Sequence, residues 1–486
     1  MSVMWNIGAV VRKRAQTHPD STAVIFEDER VTYREINERS NCCARMMIQA
    51  GVTKGDRVAL LMNNAVEFLE ICFAAAKLGA MFVPLNTRMV GPELAYQLTD
   101  SGARLLFLHD SYADIIGKVR AELNIECDNY LLLKEPGSSP GTYDYGRDYQ
   151  RLMEGLDTGE PVPNDPVYLD DPLAIIYTSG TTGNPKGAVV SHEQTFFKAG
   201  QVAKYADLGK DDVMVAQLPL FHSGGLFIVT IPSLTAGMTV ILRRGFNPER
   251  FVQDIEKYGG TIVIALTTMW KMILASNMLD DCDISSVRRV FGGGERTPAS
   301  LLKELAEKGL HMQQGFGQTE NSVMTRVPQQ DIQRKPGSVG KPGFFTDVWI
   351  IDADGRKQQP NEIGDVVAAG PTVMSGYWNL PEKTVETIVN GVLYTGDLGY
   401  MDEEGFLYIV DRAKDMYRSG GENVYPAQVE KTLMDHTWIN NVAIIGVADE
   451  KWGQTGKAFI VPEQGKNIGL EEVHSFLEGK VSRYKY

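Results

Sequence analysis

Basic residues are in deficit in this chain, cysteines paired at metal-binding spacing are missing, and no apolar run reaches the length of a membrane span. Its 486 residues hold 48 lysines and arginines against 62 acidic residues, a net charge of −14. That balance argues against a nucleic-acid-binding surface and against attraction to anionic membranes. The five cysteines, Cys42, Cys43, Cys72, Cys127 and Cys282, are odd in number and lack CxxC spacing or a companion histidine cluster. They read as reduced structural thiols of a cytoplasmic protein, with neither a disulfide framework nor a zinc site expected. Arg12, Lys13 and Arg14 follow a few apolar residues at the start, the reverse of a secretory signal, and no stretch approaches the ~20 apolar residues that cross a bilayer. Internal repeats and low-complexity tracts are absent as well.

What remains is a long α/β pattern. At this length roughly three domain-sized units are the default expectation. From Ile7 to about Leu133, helical stretches (Ile7 to Gln16, Ala65 to Leu78) alternate with short apolar strands (Ala23 to Phe26, Val58 to Leu61), which predicts a parallel layer. A Gly-, Pro-, Ser- and Asp-rich excursion from Glu135 to Pro166 precedes a second alternation: strands near Val213 to Leu218, Thr239 to Leu242 and Thr261 to Ala265, with helices at Pro248 to Tyr258 and Thr297 to Lys308. After about Lys335, short strands punctuated by Asp354-Gly355 and Glu404-Gly405 predict a small β-rich subdomain. A last unit begins near Asp411, with the Gly-rich Ser419-Gly420-Gly421, a helix from Ala427, strands at Val442 to Val447 and Ala458 to Val461, and a helix from Leu470.

Residues 177 to 187 read Tyr-Thr-Ser-Gly-Thr-Thr-Gly-Asn-Pro-Lys-Gly. Small and hydroxyl-bearing residues let the backbone bend tightly, offer N–H and O–H donors, and admit a phosphate without a Cβ in the way. The run lies between two apolar, strand-like segments. It is not a P-loop, because Pro185 precedes Lys186 and Gly187 stands where that motif needs Ser or Thr before a helix. Taken alone it also reads as a Gly/Thr surface hairpin. In Phe316-Gly317-Gln318-Thr319-Glu320 the ring of Phe316 can stack on a purine, Thr319 can donate to phosphate and Glu320 can hold Mg²⁺ through oxygen, although an ordinary turn has the same composition. Tyr394-Thr395-Gly396-Asp397 supplies a carboxylate able to accept two hydroxyls, and Asp411-Arg412-Ala413-Lys414-Asp415 reads on its own as a solvated charge run.

Together, and in this order, the four segments resemble the adenylate-forming superfamily of acyl-CoA synthetases, luciferases and peptide-synthetase adenylation domains, and the chain is most like an acyl-CoA synthetase. Phe316 stands where Tyr is usual, Tyr417 where an aliphatic residue is usual, and Gln428 where Glu is common. The resemblance implies an α/β fold: a large N-terminal domain, residues 1–411, of two α/β subdomains plus the β-rich part from about 335, and a mobile α+β cap over 412–486, cut short here. It implies ATP binding by Thr178, Ser179, Gly180, Thr181, Thr182, Gly183, Lys186, Gly315, Phe316, Gly317, Thr319, Asp397 (on ribose) and Arg412, with Thr178, Lys186, Glu320 and Arg412 nearest the chemistry. Lys414 becomes the hinge, Glu320 the Mg²⁺ ligand, and Arg418, Gly420 and Gly421 the channel for CoA. Pro219 to Gly225 resembles a wall of the acid pocket, with His222 as its gate, though a histidine among apolar residues is also a common core residue. Gly292, Gly293, Gly294 and Gly315 are expected to keep that pocket open, and Phe227, Met269 and Met324 to add apolar surface.

The reaction so implied joins a carboxylic acid to ATP, giving an acyl-adenylate and pyrophosphate, and then passes the acyl group to CoA. The substrate carboxylate is the nucleophile, so alignment and charge neutralisation suffice. With His222 where amino-acid-activating relatives place an Asp, a substrate ammonium would lack its partner, and a fatty or aromatic acid is expected instead. The resembling family carries one further lysine beyond an Arg-Tyr-Lys segment. Here Ser482-Arg483-Tyr484-Lys485-Tyr486 matches the approach and the sequence stops, so impaired adenylation through truncation of a competent synthetase is the expectation. Partners are then an acid, ATP and CoA, with a homodimer allowed and neither nucleic acid nor a membrane segment involved. A nucleotide-binding regulator without turnover, a luciferase-like oxygenase and a peptide-synthetase module are the alternatives.

Overall fold

The structure, a computed structural model, describes residues 5–135, 143–178, 184–294, 297–412 and 416–486, with the side chains of Asp411, Arg412, Ala427 and Lys431 outside the description. Two large sheets form the bulk of the molecule. One has eight strands in the order Gly376–Tyr377, Lys186–Ser191, Pro172–Thr178, Met81–Pro84, Arg57–Leu61, Leu105–His109, Tyr130–Leu133, Arg147–Asp148. Its strands from Met81–Pro84 onward run parallel, whereas Pro172–Thr178 and Lys186–Ser191 form an antiparallel pair, so the sheet is mixed. The all-apolar strand Met81–Pro84 and the fully buried Leu105–His109 are what a sheet covered on both faces demands.

The second sheet has nine strands, ordered Lys341–Pro342, Ser322–Arg326, Met312–Gln318, Arg289–Gly293, Ile262–Ile264, Val213–Val215, Thr239–Leu242, Thr22–Phe26, Glu29–Thr32. Here the structure departs from the linear reading. The strand Thr22–Phe26 does not join Arg57–Leu61 in one layer; it pairs in parallel with Thr239–Leu242. The physical reason lies in the helices that follow it. Tyr33–Gln49, started by a capping box between Thr32 and Glu35, and Val66–Leu78, apolar on nearly every side, are buried between the sheets, and one apolar core touches both.

A five-stranded β-rich unit contains Asp347–Ile351, Gly364–Ala369, Val392–Met401, Ile388–Val389 and Leu407–Arg412. A small C-terminal domain follows, with a four-stranded sheet (Glu422–Val424, Tyr417–Ser419, Gly453–Pro462, Ile439–Asp449), the helices Pro426–Leu433 and Leu470–Leu477, and a core of its own. Among the described residues no helix is long and apolar enough to cross a membrane.

One polar device braces the second sheet. Arg243, 2% exposed, leaves the end of Thr239–Leu242 and pairs through Nε with Asp254 Oδ2 at 2.9 Å, on the helix Pro248–Tyr258, and with Asp28 at 2.8 Å. Removing Asp254 takes away the buried partner and leaves the half-exposed Asp28 as the main counter-charge, a loss of about 1.5–3 kcal/mol. Asp254→Ala is therefore expected to lower the urea midpoint of the large domain sharply, and a shift no larger than that of a surface Asp→Ala control would refute this account.

Candidate active site

The glycine- and hydroxyl-rich loop joins two hydrogen-bonded antiparallel strands. Thr178 pairs in register with Lys186, and its Oγ1 donates to the Lys186 carbonyl at 3.4 Å. Ser179, Gly180, Thr181, Thr182 and Gly183 lie outside the described residues, as does Lys414. The Lys186 ammonium stands 5.0 Å from the centre of the Tyr377 ring. The hydroxyl of Tyr377 donates to Glu320 Oε1 at 2.9 Å, which brings the loop lysine and the second motif together.

Glu320 sits in the turn between the antiparallel strands Met312–Gln318 and Ser322–Arg326. Ser322 closes that turn at φ +69, a left-handed conformation rare outside glycine. At Gly317 a Cβ would lie 1.9 Å from the Ser322 carbonyl oxygen, so the hairpin closes only without a side chain there. Gln318 reaches out of the same hairpin and donates to Asp397 Oδ2 at 2.6 Å, aiming a carboxylate that is almost wholly buried. Asp397 pairs across the sheet with Arg412, whose side chain is not described.

These elements surround one cavity of about 420 Å³. Thr178, Lys186, Phe316, Gly317, Thr319 and Glu320 line its polar end; His222, Gly292, Gly293, Gly294 and Gly315 line it further along; and Arg418 and Gly421 from the small domain cover it. Phe227, Met269 and Met324 are placed elsewhere. Phe227 stacks on Phe82 inside the inter-sheet core, Met269 belongs to the same core, and Met324 packs against Val348, Ile350 and Leu407 of the β-rich unit. Gly420 packs instead beside Trp452.

The small domain is held down by two clusters. Its Glu422 is buried and accepts from His222 Nε2 at 3.1 Å and from Asn86 Nδ2 at 3.2 Å, with Arg88 Nη1 3.2 Å away. Burial would raise the Glu422 carboxyl, yet the charges of His222 and Arg88 and the hydrogen bonds from His222 and Asn86 outweigh it and hold the group below the usual carboxylate range. In the second cluster Lys485, 2% exposed, meets Glu93 Oε1 of the large domain at 2.5 Å, while Gln428 accepts from the same ammonium at 3.0 Å and Ser482 donates to Glu93. Gly294, at φ +85, lies against this domain too: a Cβ there would be 2.9 Å from the Arg418 guanidinium.

Several of these residues carry no local signal in the sequence. Lys198 is fully buried in the helix His192–Ala206; burial pushes its ammonium down to about 7, and the nearby Glu320 charge only partly restores it. Its position on the buried stripe Thr195–Ala199–Val202–Ala206 is the one available hint. Tyr377, Glu93 and Arg88 join the site only through tertiary packing.

The fold and this cavity define a two-domain nucleotide-dependent enzyme whose small domain closes over its site. The model of the AMP-binding enzyme family matches residues 11–378, and that of the AMP-binding enzyme C-terminal domain matches 428–486. The chain belongs to this family. It is 37% identical to a feruloyl-CoA synthase from an Amycolatopsis species and 36% identical to a long-chain-fatty-acid–CoA ligase from Mycobacterium tuberculosis, in each case over 99% of this chain and 93% of the relative. Among solved structures, a double mutant of the o-succinylbenzoate CoA synthetase of Bacillus subtilis bound with a product analogue superposes with a TM-score of 0.86 at 32% identity, covering 98% of this chain and 92% of that one. The same enzyme in complex with its acyl-adenylate intermediate gives a TM-score of 0.74.

Proposed function

We propose that this chain is an ATP-dependent carboxylic acid:CoA ligase that forms an acyl-AMP with release of pyrophosphate and then an acyl-CoA thioester, with a fatty or aromatic acid as substrate. The single observation that carries the reading is one cavity lined at once by Thr178 and Lys186, by the Phe316-to-Glu320 hairpin, by the His222 segment and by the small domain's Arg418 and Gly421. Phosphates would lie at the polar end, the purine against Phe316, the ribose hydroxyls on Asp397 and the acid beyond His222. Arg412 is proposed to contact the nucleotide, and loop residues 179–183 to supply further phosphate donors.

Glu320 is the proposed Mg²⁺ ligand. Magnesium keeps several waters and completes its shell from substrate phosphates. Of the two carboxylates at the cavity wall, Glu422 is taken up by His222, Asn86 and Arg88, which leaves Glu320 at the polar end, and with no cluster of three His, Cys, Asp or Glu among the described residues this suits that mode. When bound, the ion would neutralise charge on the phosphates.

The second half-reaction needs a different set of groups, which rotation of the small domain about Lys414 would bring in. The better superposition on a product-analogue complex than on an acyl-adenylate complex supports reading the present orientation as the thioester-forming one, with CoA entering past Arg418 and Gly421, which line the cavity. A cytoplasmic location suits the reduced cysteines and the supply of ATP and CoA. The test is thioester production from CoA, MgATP and a panel of fatty and aromatic acids, run beside the same enzyme given preformed acyl-adenylates. Product in the second assay is expected under this reading, and product in neither would overturn it.

A further inference from the structure

Most of the cavity beyond His222 is apolar: Val202, Ala206, Met214, Leu218, Ile228 and Val229 contribute to its wall. Arg326, Gln313 and Tyr205 bring polar atoms to it, the Tyr205 hydroxyl being used on the Met324 carbonyl. Arg326, at the end of Ser322–Arg326, stands opposite Gly315, with its guanidinium 4.5 Å from the Phe291 ring centre and 5.3 Å from that of Tyr205. The two rings hold the fork in place. Its Nη2 donates to Gln313 Oε1. Among the described residues no carboxylate lies within ion-pairing distance of it; burial pushes the guanidinium down to about 9, with Tyr205 opposing that shift and Arg289, of the same sign, adding to it. Gln313 is 1% exposed, and its Nε2 has no hydrogen-bond partner among the described residues.

A partly buried cation without an anion beside a buried amide N–H without an acceptor is costly, and a ligand oxygen would satisfy both. Position supports that role. At about 3.3 Å of strand rise per residue, Gln313 lies roughly 16 Å from Gln318, where the hairpin turns toward Glu320, and Arg326 roughly 10 Å from it. Both are therefore far from the phosphate end and along the path of an acyl group.

We propose that Arg326 and Gln313 recognise a second carboxylate at the end of the substrate remote from the reacting one, so that the preferred acids are dicarboxylic. A carboxylate matches the guanidinium fork in charge and shape, and Gln313 Nε2 can donate to either oxygen. A plain fatty acid of the same length leaves both groups unpaired and brings a methyl against them. This inference rests on the ligase reading above and narrows its substrate.

The experiment compares kcat/KM for matched pairs, straight-chain monoacids against α,ω-diacids of equal length and phenylpropionate against its ring-carboxylated counterpart, with MgATP and CoA. The wild type is expected to favour the diacid of one length by tenfold or more. Arg326→Met should reverse that order by raising use of the monoacid, Arg326→Lys should keep part of the preference, and Arg326→Met should melt at a higher temperature than the wild type without ligand. Gln313→Met serves as an independent variant and should weaken the diacid selectively. Preference of the wild type for monoacids at every length, or an equal loss on both members of each pair in Arg326→Met and Gln313→Met, would overturn the inference while leaving the ligase intact. Absence of thioester from every acid and from preformed adenylates would instead overturn the ligase reading on which it rests.

Discussion

Glu320→Gln is expected to slow pyrophosphate release from MgATP and acid by about a hundredfold or more, the usual effect of losing a group that stabilises transition-state charge. The amide keeps an oxygen able to accept from the Tyr377 hydroxyl, so the turn between Met312–Gln318 and Ser322–Arg326 should hold its shape. What disappears is the negative charge proposed to hold Mg²⁺ and shown to lie near the buried Lys198. Two readouts separate this from damage to the fold. The Mg²⁺ concentration needed for half-maximal rate should rise in the variant, and thioester formation from a preformed acyl-adenylate should stay near the wild-type rate. Equal losses in the two half-reactions, with an unchanged Mg²⁺ requirement, would count against Glu320 as the metal's ligand.

Glu93→Gln should have the opposite selectivity. Lys485 is buried against Glu93, Gln428 and Ser482 in the docked small domain, and the carboxylate of Glu93 is the anion in that cluster. Neutralising it leaves an ammonium buried without a counter-charge, a penalty of about 3–5 kcal/mol against the docked orientation. A bias of that size is enough to move a two-state equilibrium by a factor of a hundred or more. Thioester formation from supplied acyl-adenylate should therefore fall steeply and adenylation should not, while the melting of the large domain stays in place. The radius of gyration in solution should increase as the small domain spends more time undocked. Adding Lys485→Met removes the stranded charge and should recover much of the loss, because neither partner is then buried alone. A double variant as poor as the single one would show that the pair does not govern docking.

Gln428 has a part in this cluster that its sequence context does not announce. As a neutral side chain it accepts from Lys485 and donates to Glu93 at 3.1 Å, so the ammonium finds its counter-charge across the domain boundary. The Glu422 cluster works in parallel nearer the acid pocket and explains the place of His222. Its ring belongs at once to the cavity wall and to the docking surface, so the packed-core alternative raised by its apolar neighbours does not describe it.

Local chemistry made much of the proposed phosphate end legible. Glycines and hydroxyls between two apolar strands, and an aromatic-Gly-Gln-Thr-Glu turn, depend on residues adjacent in the chain, so their spacing alone carries the pattern. The helix Pro248–Tyr258 and the strand Thr239–Leu242 were legible for the same reason, since periodicity, Pro and Gly are local signals. The acyl end was not. Phe227, Met269 and Met324 are apolar residues close in sequence to pocket segments, and which face of a helix or strand meets the cavity and which meets a core depends on what packs behind it.

By itself, then, the sequence determined the α/β class, the strand-loop-strand unit proposed to hold phosphate and the order of motifs from Tyr177 to the small domain, because each of these is written in neighbouring residues. Tertiary structure alone decided that the first strand, Thr22–Phe26, crosses to the second sheet, that Tyr377 aims Glu320, that Glu422 and Lys485 dock against residues more than 300 positions before them, and that Arg326 lines the cavity with no carboxylate paired to it among the described residues while Gln313 Nε2 has no acceptor there. Each of those outcomes depends on burial and charge pairing between segments far apart in the chain, and such pairing has no periodicity to read until the layers have come together.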